Sequence, residues 1–331
     1  LTDSHSIVAA ISPTPYRSHA NSQAPTHSAR AEMIRTSFST LGCPDWSFAD
    51  MVRLGQQAGF DGVEIRLIER DTELLGVPDF SATQLPKRRQ ELAQSGFEVC
   101  GLASSVAFDS PDASHRTKQL EIGRAYLDLA AELQAGFVRV FGDTIHESVG
   151  RHDTVSQVAD GLERLGEYAE SLNLKVVIET HGDFSQSDLV AETMDRVHSP
   201  AVGVLWDTHH PWRFHGESLA MTCDRFQDRI FHTHWKDSVT RHSTTTDADQ
   251  QIAAKQAATL MTGHQHADYV LFGGGEFPIL DCLGLLKRSG YSQWYSYEWE
   301  KMWHPELEPP ELALPLFSEK IRQLHALLPG N

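Results

Sequence analysis

Cysteine is scarce and scattered. Only Cys43, Cys100, Cys223 and Cys282 occur in 331 residues, and none form a CxxC pair. That spacing excludes a thiolate zinc ribbon and a dense disulfide framework, and it reads as reduced thiols of a cytoplasmic protein. No run of about 18 apolar residues exists, so no membrane helix and no membrane partner are expected. Basic residues are in deficit: 28 Lys and Arg against 45 Asp and Glu leave a formal charge of −17. A field of that sign repels phosphate backbones, and with no basic stripe a nucleic-acid partner is not expected. A glycine-rich phosphate turn is also missing, because the first strand is followed by Thr40-Leu41-Gly42-Cys43-Pro44. An open, dinucleotide-binding sheet is therefore disfavoured. What remains, 40% hydrophobic and 22% charged residues, is ordinary globular composition.

Residues 1–32 are rich in Ser, Ala, His, Pro and Thr and show no apolar period. They read as a flexible leader, and the patterned chain runs from Met33 to Asn331 as one domain. There, short apolar or β-branched runs alternate with amphipathic stretches. The runs lie at Ile34–Ser39, Gly62–Arg66, Glu98–Ser104, Phe137–Phe141, Leu174–Glu179, Val202–Asp207, Ile230–Trp235 and Trp294–Trp299. Four intervening helices are expected to stop at Gly59, Gly96, Gly136 and Gly290, since glycine accepts the left-handed cap conformation. The last helix carries Phe317, Ile321, Leu324 and Leu328 on one face, with Pro315 suited to its first turn. Eight strand–helix units close naturally into a single (β/α)8 barrel, the α/β fold expected here. One connection is anomalous. Between Asp237 and Pro278 lie a polar stretch (Thr240–Gln250), a short helical pattern (Ile252–Met261) and the Gly273-Gly274-Gly275 turn, read as flexible. A long loop after strand seven opens onto the barrel mouth, as a lid or as a decorative excursion.

The last four strands end in Glu179, Asp207, His234 and Glu298. A charged group at the end of one apolar strand is an ordinary cap or ion pair, but four consecutive strands delivering one at the same level point to a shared ligand. Three carboxylates and an imidazole form an oxygen-rich set suited to one divalent ion, Mn²⁺, Mg²⁺, Co²⁺ or Zn²⁺. His232 faces the same side one layer deeper, as a hydrogen-bonding group behind the ligands or as a ligand itself. Glu300 is inward by the same period, with Lys301 as the expected partner. His209 is expected to face away from the mouth. Trp206, Trp235, Trp299 and Phe141 are available as apolar walls, although alternation points the three Trp outward into barrel–helix packing.

In combination, Glu179, Asp207-Thr208-His209-His210, His232-Thr233-His234-Trp235-Lys236-Asp237 and Glu298 resemble the xylose isomerase-like TIM barrel superfamily, in particular its sugar phosphate isomerase/epimerase group. The Val63-Glu64-Ile65-Arg66 strand ending and Gly273–Glu276 fit the same group. The resemblance spans Met33 to Leu328. It implies a single metal held by Glu179, Asp207, His234 and Glu298. It also implies a sugar or polyol substrate whose enediolate the metal stabilises, with Glu179 and Glu298 as the acid/base pair. Glu64, Arg66, His210 and Lys236 would bind substrate hydroxyls. A related dehydratase of an inosose or of 3-dehydroshikimate uses similar chemistry and stays open. An endonuclease IV-like nuclease is disfavoured by the charge and by a third strand ending Ala103-Ser104-Ser105-Val106, without zinc histidines. A non-catalytic sugar-binding barrel would not need two opposed glutamates. Trp303–Pro310 is an exposed loop available to a homo-oligomer interface.

Overall fold

The computed structural model describes residues 34–240 and 267–329. The expected leader, all of the polar loop beyond Thr240 and the helical pattern Ile252–Met261 lie outside the described residues.

All eight expected strands form. They are β1 (Arg35–Ser39), β2 (Gly62–Ile65), β3 (Glu98–Ala107), β4 (Phe137–Phe141), β5 (Lys175–Glu179), β6 (Val202–Asp207), β7 (Ile230–Trp235) and β10 (Trp294–Tyr297). They pair in parallel and close in the order β1-β10-β7-β6-β5-β4-β3-β2. Between β7 and β10 the long connection adds a two-residue antiparallel pair, β8 (Ser238–Val239) with β9 (Asp268–Tyr269).

Period-two alternation splits each strand between two cores. Outward residues such as Val176, Ile178, Val204 and Trp206 join the large layer between barrel and helices. Inward, Cys100, Phe137, Val177, Leu205 and Trp294 form a small plug with Phe231 packed against it. Glycine makes room for that plug: a Cβ at Gly101 would lie 2.2 Å from the Phe137 ring, and one at Gly203 would lie 2.2 Å from Phe231. The plug fills the lower barrel, with Arg35 over the Trp294 ring and Lys175 over the Phe231 ring, while the strand-end carboxylates and histidines gather at the upper end. Trp206, Trp235 and Trp299 are all fully buried in the outer layer, so they are core residues and not sugar walls.

Local chemistry sets the helix limits. Ser47 caps Phe48–Gln57, its hydroxyl accepting from Asp50 N at 3.2 Å. Gly59, Gly96 and Gly290 take the expected positive φ, at 84°, 68° and 79°. Gly136 does not. Gln134, with φ 57°, caps Ala113–Leu133, and Gly136 is a bend one residue before β4 begins at Phe137. The last helix starts earlier than expected, at Pro310, and carries Pro315 in its interior. The Pro309-Pro310 pair sets the start, since an N–H is dispensable there.

The triple-glycine turn is held firmly. Asp237, fully buried, accepts from Gly273 N and Gly275 N through Oδ2, both at 2.9 Å, and from Ser238 N and Phe277 N through Oδ1. A Cβ at Gly275 would meet Asp237 Oδ1 at 2.2 Å. One carboxylate therefore ties the return of the long connection to the end of β7. Asp237→Ala should strand four backbone donors and cost about 3 kcal/mol or more of unfolding free energy. Urea denaturation measures this; a loss below about 1 kcal/mol would mean that the turn holds itself.

Candidate metal centre at the barrel mouth

The parallel register brings the charged strand ends to one level. Asp207 pairs with His234, and His234 with Ser296, two residues before Glu298. One ligand atom each from Glu179, Asp207, His234 and Glu298 lies within 4.8 Å of the others, and all four side chains are buried. His234 Nδ1 stands 3.2 Å from both Glu179 Oε1 and Glu298 Oε2. The four residues expected from the sequence are therefore together.

The imidazole is oriented from behind. His234 Nε2 lies 2.8 Å from Glu64 Oε2, and His232 Nε2 reaches the same oxygen at 2.9 Å. A proton on His234 Nε2 is donated to Glu64, leaving Nδ1 turned to the three carboxylates. This is the carboxylate–histidine arrangement that fixes tautomer and ring plane at metal sites. Glu64 thus differs from the sequence expectation. It is wholly buried, with Oε2 on two histidines and Oε1 without a hydrogen-bond partner among the described residues. His232 takes the deeper position expected of it.

The donor set fits a divalent ion on a specific atom. Asp207 Oδ1 accepts from His209 N and His210 N, while Oδ2 is buried with no hydrogen-bond donor aimed at it. Lys236 Nζ approaches Oδ2 to 2.9 Å, supplying charge without hydrogen-bond geometry. His210 Nε2 is a further 3.4 Å neighbour of Oδ2, so this oxygen has cationic charge beside it but lone pairs without a well-directed hydrogen bond, which a divalent ion could use.

Electrostatics divide the carboxylates. Burial opposes ionisation of Glu179, but Arg139 overrides it and holds the group below its ordinary range. Burial likewise opposes charge on Glu298, and His234 and Lys236 hold it well below normal. For Asp207 burial wins over Lys236 and pushes the group up. Burial depresses the His234 imidazole, but Glu298, Glu64 and Glu179 outweigh it and raise it well above normal.

Arg139 was not expected. It interrupts the apolar strand Phe137–Phe141, points inward, and donates from Nη1 to Glu179 Oε2 at 2.6 Å with its guanidinium over the Phe141 ring. A lone arginine in a buried strand was the available signal. Arg66 donates to Thr72 O and Ser105 Oγ, and burial, with Arg139 nearby, lowers it to about 10. His210 is buried with Nδ1 on Thr180 O and Nε2 3.3 Å from Lys236 Nζ. His209 sends Nε2 to Ser238 Oγ and packs against Trp212 and Tyr269. The partner of Glu300 is corrected: its Oε1 meets Lys236 Nζ at 2.6 Å, whereas Lys301 binds the carbonyls of Pro305 and Leu307. The four cysteines are free, buried thiols.

A sequence model of the family described as xylose isomerase-like TIM barrel matches residues 52–317. An inosose dehydratase of Lacticaseibacillus casei is 28% identical over 164 residues, 49% of this chain, and the chain spans about half (51%) of that relative's length. An inosose dehydratase of Clostridium beijerinckii is 24% identical over 299 residues, covering 81% of this chain and 92% of its own. Among solved structures, the IolI protein with a bound zinc atom superposes with a TM-score of 0.70 at 16% identity, over 88% of this chain and 98% of its own. At that identity the likeness is one of fold.

Because Glu64 orients the imidazole, Glu64→Gln should weaken zinc binding by about 10- to 100-fold while the fold is kept. Competition against a chromogenic chelator measures this; unchanged affinity would reduce Glu64 to a packing role.

Proposed function

The chain belongs to the xylose isomerase-like TIM barrel family, and on that premise we propose that it is a divalent-metal-dependent isomerase or epimerase of a sugar, keto-sugar or related polyol. The observation that carries this reading is the buried group of Glu179, Asp207, His234 and Glu298, with two glutamates flanking one imidazole nitrogen. These four would hold the ion, which as a Lewis acid polarises a substrate carbonyl and acidifies the neighbouring C–H.

The chain's own residues then move the proton. Glu179 or Glu298 takes it from the carbon beside the carbonyl, and the other returns it, to the neighbouring carbon or to the opposite face. Their cationic neighbours differ: Arg139 faces Glu179, and Lys236 faces Glu298. Each carboxylate is thus kept ionised, ready to act as a base. Arg66, His210 and Lys236 line the same end of the barrel and would bind substrate oxygens. Glu64 and His232 act from behind, through His234. Burial of the whole group supplies a water-poor setting in which these charges count for more than they would in solvent.

A second reading has its own support, since the curated relatives are inosose dehydratases. Dehydration of an inosose or of a 3-dehydroshikimate-like ketone begins with the same proton removal and differs in expelling a hydroxyl afterwards. The acidic charge of −17 favours a neutral polyol over a nucleic acid under either reading.

The test is incubation of the zinc- or manganese-loaded protein with a panel of ketohexoses, inososes and dehydroshikimate in deuterium oxide, followed by mass spectrometry. An isomerase or epimerase gives a product of substrate composition carrying solvent deuterium. A dehydratase gives a product lighter by one water. No conversion and no exchange across the panel would remove the proton-abstraction reading. Glu298→Gln should fold, and should lower turnover by about 10²- to 10⁴-fold; retained activity would exclude Glu298 from the acid/base pair.

A further inference from the structure

Lys236 has an unusual position for a lysine. It is wholly buried, and its ammonium touches oxygens both inside and outside the candidate ligand set. Inside the set it lies 2.6 Å from Glu298 Oε2 and 2.9 Å from Asp207 Oδ2. Outside it lies 2.6 Å from Glu300 Oε1, and His210 Nε2 is 3.3 Å away. Glu298 Oε2 is also the atom facing His234 Nδ1. The ammonium and a divalent ion would therefore call on the same two oxygens, and two like charges in a low-dielectric pocket repel strongly. Glu300 is fully buried, belongs to none of the candidate ligand groups, and its carboxylate hydrogen-bonds to Lys236. It gives the ammonium somewhere to remain.

We propose that Lys236 is a built-in counter-cation that neutralises Asp207 and Glu298 before metal uptake, yields those two oxygens to the incoming ion, and keeps Glu300 as its permanent partner. This rests on the metal-centre reading above. It deepens that reading by making metal affinity the outcome of a competition within the chain. Without the lysine, the metal-free pocket would hold Asp207, Glu298 and Glu300 together with no ammonium between them, a repulsive arrangement that an ion would relieve.

The informative variant is the double change Lys236→Met with Glu300→Gln in the full chain. It removes one positive and one negative charge, so the pocket's net charge is that of the wild type and only the competition is lost. Zinc(II) affinity, measured against a chromogenic chelator, is expected to be about tenfold tighter than wild type, with a larger zinc-induced rise in melting temperature. Glu300→Gln alone, a near-isosteric change, replaces the charged partner by a neutral amide oxygen, so the ammonium is drawn more strongly to the ligand carboxylates and zinc binding should weaken. Affinity of the double variant equal to or below wild type would overturn the proposal, as would tighter or unchanged binding by Glu300→Gln. Should the double variant not fold, the single variant decides. Failure of the wild-type chain itself to bind zinc is a different result: it would remove the metal centre, and this competition with it.

Discussion

Five carboxylates, those of Glu64, Glu179, Asp207, Glu298 and Glu300, lie out of water in one end of one barrel, and the rest of the site is arranged around their charge. Each would be expensive alone. Four of them are held by well-directed partners. Glu64 takes two imidazoles, Glu179 takes Arg139, and Glu298 and Glu300 share Lys236. Asp207 is the exception, since its Oδ2 has the Lys236 ammonium 2.9 Å away and His210 Nε2 3.4 Å away without a well-directed hydrogen bond from either. Two fixed cations, Arg139 and Lys236, leave three of the five negative charges unmatched, and a divalent ion held by this oxygen-rich set would offset two of them.

The barrel makes that concentration tolerable. Apolar inward residues fill its lower half, so the polar layers above rest on a packed floor and not on a water channel. Outward residues of the same strands anchor each ligand-bearing segment to the helices: Ile178 beside Glu179, Trp206 beside Asp207, Trp235 beside His234 and Trp299 beside Glu298 all sit in the outer core. The side chains next to the site in sequence thus act as rivets that hold its ligands to the packed layer between barrel and helices.

Much of this was legible from alternation alone. A period of two along each strand located the four strand-end residues, placed His232 behind His234 and turned the three Trp outward. The fold followed from eight such strands, each with a helix. What alternation missed has a common cause. Register shifts at Val63/Glu64 and Val204/Leu205 insert residues without altering composition, and Phe231 is left over where Leu205 pairs with His232. Contacts that cross the barrel, such as Glu64 to His234 over 170 positions or Lys236 to Glu300, depend on closure, which no local pattern encodes. Arg139 was visible as a charge in an apolar strand, but naming Glu179 as its partner required the β4–β5 register. Gly136 and Pro315 were misread because residues two and five positions earlier, Gln134 and Pro310, already served as cap and helix start.

The central claim is that one divalent ion completes this charge set. Elemental analysis of the chain, purified without chelator and then reloaded with manganese or zinc, tests it directly. The account predicts about one metal per chain, with occupancy lost in an Asp207→Asn variant that still folds. About three zinc ions per chain would instead indicate a multi-metal site of a different class. No bound metal after loading would contradict the account outright, leaving five buried carboxylates to be explained by Arg139, Lys236 and the histidines alone.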